Sequence, residues 1–185
     1  MINATPVEDK YIYASLLSHF GKGMAYSAKN NIEAAKKELS VVESFLKDSI
    51  LYAPFTPFSP AIDGAAIAAN LLRGSISYKE NSKAEAINYF KEAVEREKKM
   101  VYNEPRDWLL NPKNYLGDAY LKAGDYKNAE MTFKQVLDDN NENVWSLSGL
   151  WLYKSLLKQN KKTEASLVMA RLKQASVNSD ISFVN

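Results

Sequence analysis

Four stretches of this chain share one small pattern of residues, written most fully between Pro112 and Asn140 as PKNYLGDAYLKAGDYKNAEMTFKQVLDDN. That stretch reads as two short amphipathic helices joined by a tight turn at Ala123-Gly124-Asp125. Leu116, Gly117 and Tyr120 mark one face of the first helix. Ala129, Phe133 and Val136 recur at i, i+4 and i+7 on the second, which is a single helical stripe. The small Gly117 and Ala129 stand where two helices must approach closely. The large Tyr120 and Phe133 fill the space beside them.

The turn supplies an independent check. A helix of this kind ends on a left-handed residue, a role that Gly fills best and Asn second. With Gly124 in that role, the matching positions elsewhere are Asn30, Asn81 and Asn160. An alanine follows five residues later in each copy: Ala35, Ala86, Ala129 and Ala165. Four residues beyond come Leu39, Phe90, Phe133 and Met169. Seven before the turn stand Gly23, Gly74, Gly117 and, departing from the pattern, Tyr153. Agreement across four columns predicts four helix pairs.

Leu116-Gly117-x-x-Tyr120 followed by Ala129-x-x-x-Phe133 resembles the signature of the tetratricopeptide repeat, a helix–turn–helix unit of about 34 residues. The resemblance implies an all-α fold, an α-α superhelix of about four antiparallel helix pairs, forming one right-handed solenoid domain over 1–185. Repeat one is expected at about 8–48, a Pro-rich loop at 49–60, and repeat two at about 61–101. A loop at 102–111 precedes repeat three, at about 112–140, and repeat four, at about 141–176. VNSDISFVN closes the stretch as a tail (177–185), read as lying along the last helix pair. Pro54, Pro57 and Pro60 are too closely spaced for a helix. The loop that they interrupt carries Tyr52, Phe55 and Phe58, which are expected to fold back onto the helices. Asn30-x-x-Glu33 and Ser82-x-x-Glu85 have the spacing of capping boxes at the starts of second helices.

From SHFGKGMAYSAKNNIEAAKKEL onward the chain is also similar to the C-terminal half of a longer bacterial family of such repeat proteins, to which no settled activity attaches. The shared features are His19-Phe20 with Gly23, the loop Tyr102-Asn103-Glu104-Pro105-Arg106-Asp107-Trp108, and a closing pair from Asn143 to Ala165. Asn103 departs from the family's acid there, and Ser18 from its usual aromatic. This resemblance implies that a longer chain's N-terminal half completes the binding surface.

Composition narrows the function classes. The chain has 24 basic and 22 acidic residues in 185, so neither a polycation for nucleic acid nor an acidic tail is implied. It has no cysteine, which removes disulfides, thiolate nucleophiles and Cys-based zinc sites. No apolar run reaches the ~20 residues of a membrane span. Met1 to Asp9 lacks the pattern of a secretory signal, which favours the cytoplasm unless a leader lies outside this stretch. No Gly-rich phosphate loop, His-Glu-x-x-His or Ser elbow is present, and no cofactor is expected. The charge-rich KEAVEREKKM reads as a solvated helix face.

In stacked repeats the first (A) helices line a concave surface used for binding. The positions expected to face it are Phe20, Met24, Leu71, Ser75, Tyr78, Asn114, Asp118, Leu150 and Lys154. Asp118 would repel a C-terminal carboxylate that only Lys154 would attract, so a carboxylate clamp is not expected. An apolar peptide, extended or helical, fits that surface better. The loop Glu104-Pro105-Arg106-Asp107-Trp108 is the strongest site candidate, because a tryptophan flanked by charges can anchor a peptide. It can equally plug the gap between repeats two and three. Trp145 and Trp151 read as helix-packing residues. His19, the single histidine, reads first as a packing residue with one nitrogen hydrogen-bonded. Alternatively it forms a polar cluster with Glu104, Asp107 and Tyr115, a weak candidate for metal or a small ligand. The resulting expectation is a non-catalytic scaffold for a protein or peptide, the N-terminal half of its own longer chain among the candidates. The rival is a small-ligand or metal-binding domain, conceivably part of an enzyme, centred on His19, Glu104 and Asp107.

Overall fold

A computed structural model describes residues 7–8, 10–54, 59–101, 107–140 and 151–178, and of Trp151 the backbone alone. Eight α-helices are present among the described residues: α1 (Ile12–Ala28), α2 (Ile32–Phe45), α3 (Ala61–Lys79), α4 (Lys83–Glu97), α5 (Pro112–Ala123), α6 (Tyr126–Asp139), α7 (Trp151–Lys158) and α8 (Lys162–Ala175). They form consecutive antiparallel pairs, so the fold is all-α and of the tetratricopeptide-repeat type. None of these helices is long and apolar enough to cross a membrane. The chain divides into two compact units, Met1–Pro112 and Lys113–Asn185.

The turn column holds in every copy. Asn30, Asn81 and Asn160 have φ of 60°, 66° and 61°, and Gly124 has 87°. A left-handed residue reverses the chain within one step, which lets the second helix of a pair start two residues later. In α2 the free amides at that start are met by Asn31, whose side chain accepts from the Ala34 N–H at 3.2 Å. The capping residue is therefore Asn31 and not Asn30, since a residue in the left-handed turn cannot also flank the helix. Asp125 caps α6 in the same way. Ser82 stands at the N-cap of α4 but makes no side-chain cap bond.

The four column alanines, Ala35, Ala86, Ala129 and Ala165, are fully buried. In the first unit α3 is the central element, packed against α1, α2 and α4. Its sequence explains this: Ala61, Gly64, Ala65, Ala68 and Ala69 are small enough for helices to close on several sides, with Ile67, Leu71 and Leu72 between them. Each fully buried leucine or isoleucine contributes about 1.5–3 kcal/mol. Arg73 on the same helix reaches out to Glu43 of α2 at 2.9 Å and lies over the Tyr89 ring of α4 at 5.9 Å. In the second unit Phe133 and Leu137 of α6 close on Leu152 and Leu156 of α7 and on Ala165, Val168 and Leu172 of α8.

The Pro-rich connection differs from its expectation in one respect. Ser49–Tyr52 forms a 3-10 turn in which Leu51 is fully buried, whereas Tyr52 points outward and is 66% exposed. The buried aliphatic takes the place expected of the aromatic, because only one side chain of so short a turn faces the helices. Phe55 and Phe58 lie outside the described residues, as do Trp145 and residues 179–185 of the tail.

Candidate functional site

The end of the long connection in the first unit returns to α1. The Trp108 indole meets the Phe20 ring at 5.9 Å between centroids, tilted by 51°. Its Nε1–H donates to the Leu110 carbonyl at 2.7 Å. Both the apolar face and the polar edge of the indole are thus engaged within the unit. Phe20 is buried, so it serves as the floor under Trp108 and not as open binding surface. One face of α1 accounts for the pairing: Tyr13 and Phe20 are seven residues apart, two turns along one stripe. The Tyr13 hydroxyl lies where a side chain at Gly64 of α3 would stand. Burial, and then the charge of Asp107, push the Tyr13 phenol up to about 12. Leu109 and Leu110, next in line, are exposed, Leu109 at 81%. Glu104 and Arg106 lie outside the described residues.

His19 is held by a different carboxylate from those expected. Its Nδ1 stands 2.5 Å from Glu38 Oε2 of α2, with the Phe45 ring 6.1 Å away. It packs between two helices with one nitrogen hydrogen-bonded. Burial pushes Tyr115, the remaining member of the expected cluster, upward. No group of three or more His, Cys, Asp or Glu able to hold a metal occurs among the described residues.

The other A-helix positions separate into two sets. Met24, Ser75 and Tyr78 in the first unit, and Asn114 and Asp118 in the second, are half-buried, while Lys154 on α7 is exposed. Leu71 is fully buried in the core beneath α3 and faces no groove. The Ser75 hydroxyl donates back to the Leu71 carbonyl at 2.8 Å, one turn earlier in its own helix. Asp118 accepts from Lys122 Nζ at 2.7 Å through Oδ2, while its buried Oδ1 has no hydrogen-bond partner among the described residues. Leu150 lies outside the described residues.

A family model of the tetratricopeptide repeat matches residues 67–100 and 115–142. Those spans run from the middle of α3 through α4, and from α5 through α6, the two hairpins in which a column glycine faces a column phenylalanine. These two hairpins are tetratricopeptide repeats. Among curated proteins none matches the chain.

The second unit, which holds the second of these tetratricopeptide repeats, carries a polar network that periodicity does not reveal. Glu130 of α6 is only 7% exposed in its side chain. It accepts from Lys134 Nζ at 2.6 Å, Lys161 Nζ at 2.7 Å and Gln159 Nε2 at 2.7 Å. Burial alone would raise its pKa, but the three donors and the Lys134 charge outweigh that and hold it at about 2. Gln159 and Lys161 flank the left-handed Asn160, so the network clamps the α7–α8 turn onto α6. Beside it, a cavity of about 730 Å³ opens between α6, α7 and α8, with Leu137, Leu152, Leu156, Leu167 and Val168 among its walls and Lys134, Asp138, Glu164 and Arg171 around them.

Proposed function

We propose that this protein is a non-catalytic module that binds a protein or peptide partner through its A-helix faces. Tetratricopeptide repeats in general mediate protein–protein interaction, and the fold is typically a scaffold without catalysis. The observation that carries the reading is the partial exposure of large side chains on α1 and α3, beside the fully buried column alanines of the B helices. The B-helix alanines are wholly consumed by packing, whereas Met24 and Tyr78 remain half-exposed on A helices. Such a mixed surface suits an apolar segment with a few polar groups. Asn114, Asp118 and Lys154 supply the polar positions on the second unit, and on the first Trp108 stands against Phe20 of α1.

A photo-crosslinking residue placed at Met24 or at Tyr78 tests this in extracts of the source cells. Both positions are expected to capture the same protein, and Lys37, exposed on α2, is not. Equal capture from all three positions, or capture from Lys37 alone, overturns the assignment of the face. Mass spectrometry of the crosslinked product identifies the partner.

A further inference from the structure

Trp108 rests on the stripe of α1 that leads to the half-buried Met24. Phe20 and Met24 stand one helical turn apart on that stripe. Phe20 is buried with the indole against it. Beyond Met24 the Ser27 hydroxyl donates to the Ser75 carbonyl of α3 at 3.3 Å, so the two helices meet there and the surface continues to the half-buried Tyr78. The chain thus places an aromatic side chain of its own at one end of the A-helix surface. The indole N–H donates to the Leu110 carbonyl, inside the same short segment. Moving residues 107–110 off α1 together keeps that bond, so the polar edge of the indole is not left unsatisfied. Leu109 and Leu110, 81% and 45% exposed, give up little packing in such a move. What it does give up is the ring contact with Phe20, and another aromatic ring in the same seat restores that contact.

We propose that Trp108 is an internal competitor on the α1 face, and that the partner displaces it by seating an aromatic side chain of its own on Phe20. The proposal rests on the A-helix reading and adds the chemistry of the partner to it. Phe20 becomes binding surface only once the indole has left. A tethered occupant lowers the apparent affinity of any rival by the fraction of molecules in which the seat is vacant. Removing the indole lifts that reduction. A tryptophan that serves packing alone gives the opposite sign, since its loss loosens the surface and weakens binding.

The test places the photo-crosslinking residue at Met24 or Tyr78 of the full chain, with Trp108 kept or replaced. Trp108→Ala is expected to raise the yield of the product that wild type captures by about fivefold or more from both positions, and Trp108→Phe by less. Lys37, exposed on α2, is expected to capture nothing in any of these proteins, which sets a vacated seat apart from a loosened fold. A synthetic Asp-Trp-Leu-Leu peptide at millimolar concentration is expected to suppress capture by Trp108→Ala, and Asp-Ala-Leu-Leu to leave it unchanged. Three results overturn the proposal and leave the A-helix reading standing: an unchanged or lower yield from Trp108→Ala, a rise that appears at Lys37 in that variant alone, or equal effects of the two peptides. No product from Met24 or Tyr78 in any variant overturns both.

Discussion

The Phe90 ring fills the space that a side chain on Gly74 would need, its Cε1 standing 2.5 Å from where a β-carbon there would sit. Phe133 stands in the same relation to Gly117 one repeat later, with Cζ at 2.5 Å. Alanine at either glycine would gain about 1 kcal/mol of helix propensity. It would also force a well-packed ring aside at a cost of about 1–3 kcal/mol. The clash wins, so Gly74→Ala is expected to lower the urea midpoint. Phe90→Leu is then expected to cost less in the Gly74→Ala background than in wild type, and additive losses would show that ring and glycine are uncoupled.

The turn column responds to backbone conformation alone. Alanine in a left-handed turn carries a penalty of about 1–2 kcal/mol that glycine avoids. Asn81→Ala is expected to destabilise the protein by about 1 kcal/mol, while Asn81→Gly holds or raises its melting temperature. Thermal unfolding distinguishes the two. Matching losses for both variants would mean that the asparagine side chain, and not φ, matters there.

Glu130 carries a pH dependence whose sign follows from its depressed pKa. The unfolded carboxylate titrates near 4.5 and the folded one near 2, so its stabilisation is full above about pH 5 and fades as pH falls toward 2. Lys134 is half-exposed, which weakens its share through solvent screening. Glu130→Gln is expected to lose about 2 kcal/mol at pH 7 in urea unfolding. The gap from wild type should narrow at pH 3; a gap that is constant from pH 7 to 2.5 would assign the loss to packing.

Trp108 and Tyr13 hold the long connection against α1. Trp108→Ala is expected to cost about 2 kcal/mol, and Trp108→Phe less, because the ring contact with Phe20 survives. For Tyr13, a folded pKa of about 12 against 10 unfolded gives stability that is complete below pH 10 and lost as pH rises toward 12. Tyr13→Phe should flatten that alkaline decline, measured as unfolding free energy between pH 9 and 11.

His19→Ala should lower stability by about 1 kcal/mol through loss of the Glu38 contact. Added zinc or nickel is expected to leave the melting temperature of wild type and variant unchanged. A metal-induced rise in wild type that His19→Ala abolishes would assign the imidazole to a metal.

The repeat was legible because its determinants are local. A left-handed turn selects Gly or Asn whatever surrounds it, and a stripe such as Ala129–Phe133–Val136 needs only helical geometry to be read. Features that depend on which elements meet were not legible. Glu130 reads as one more acid on a helix until the Gln159–Lys161 turn is brought against it. Leu71 and Phe20 shared the period of the A-helix surface, yet neighbouring elements close over both of them. At the Pro-rich connection, size suggested that Tyr52 packs inward, but the direction of a 3-10 turn gave that place to Leu51.

Gly124 has φ of +87° and, among the described residues, no atom within 4 Å of where a side chain would project. The tip between α5 and α6 is held by that torsion and by backbone bonds from the Gly124 and Asp125 amides to the Leu121 and Tyr120 carbonyls, with no described side chain packed on Gly124, so it offers a graft point. An epitope or a fluorescent domain spliced in beside Gly124 would hang from the hairpin without entering either layer of packing, marking the protein in cells while leaving both helices paired.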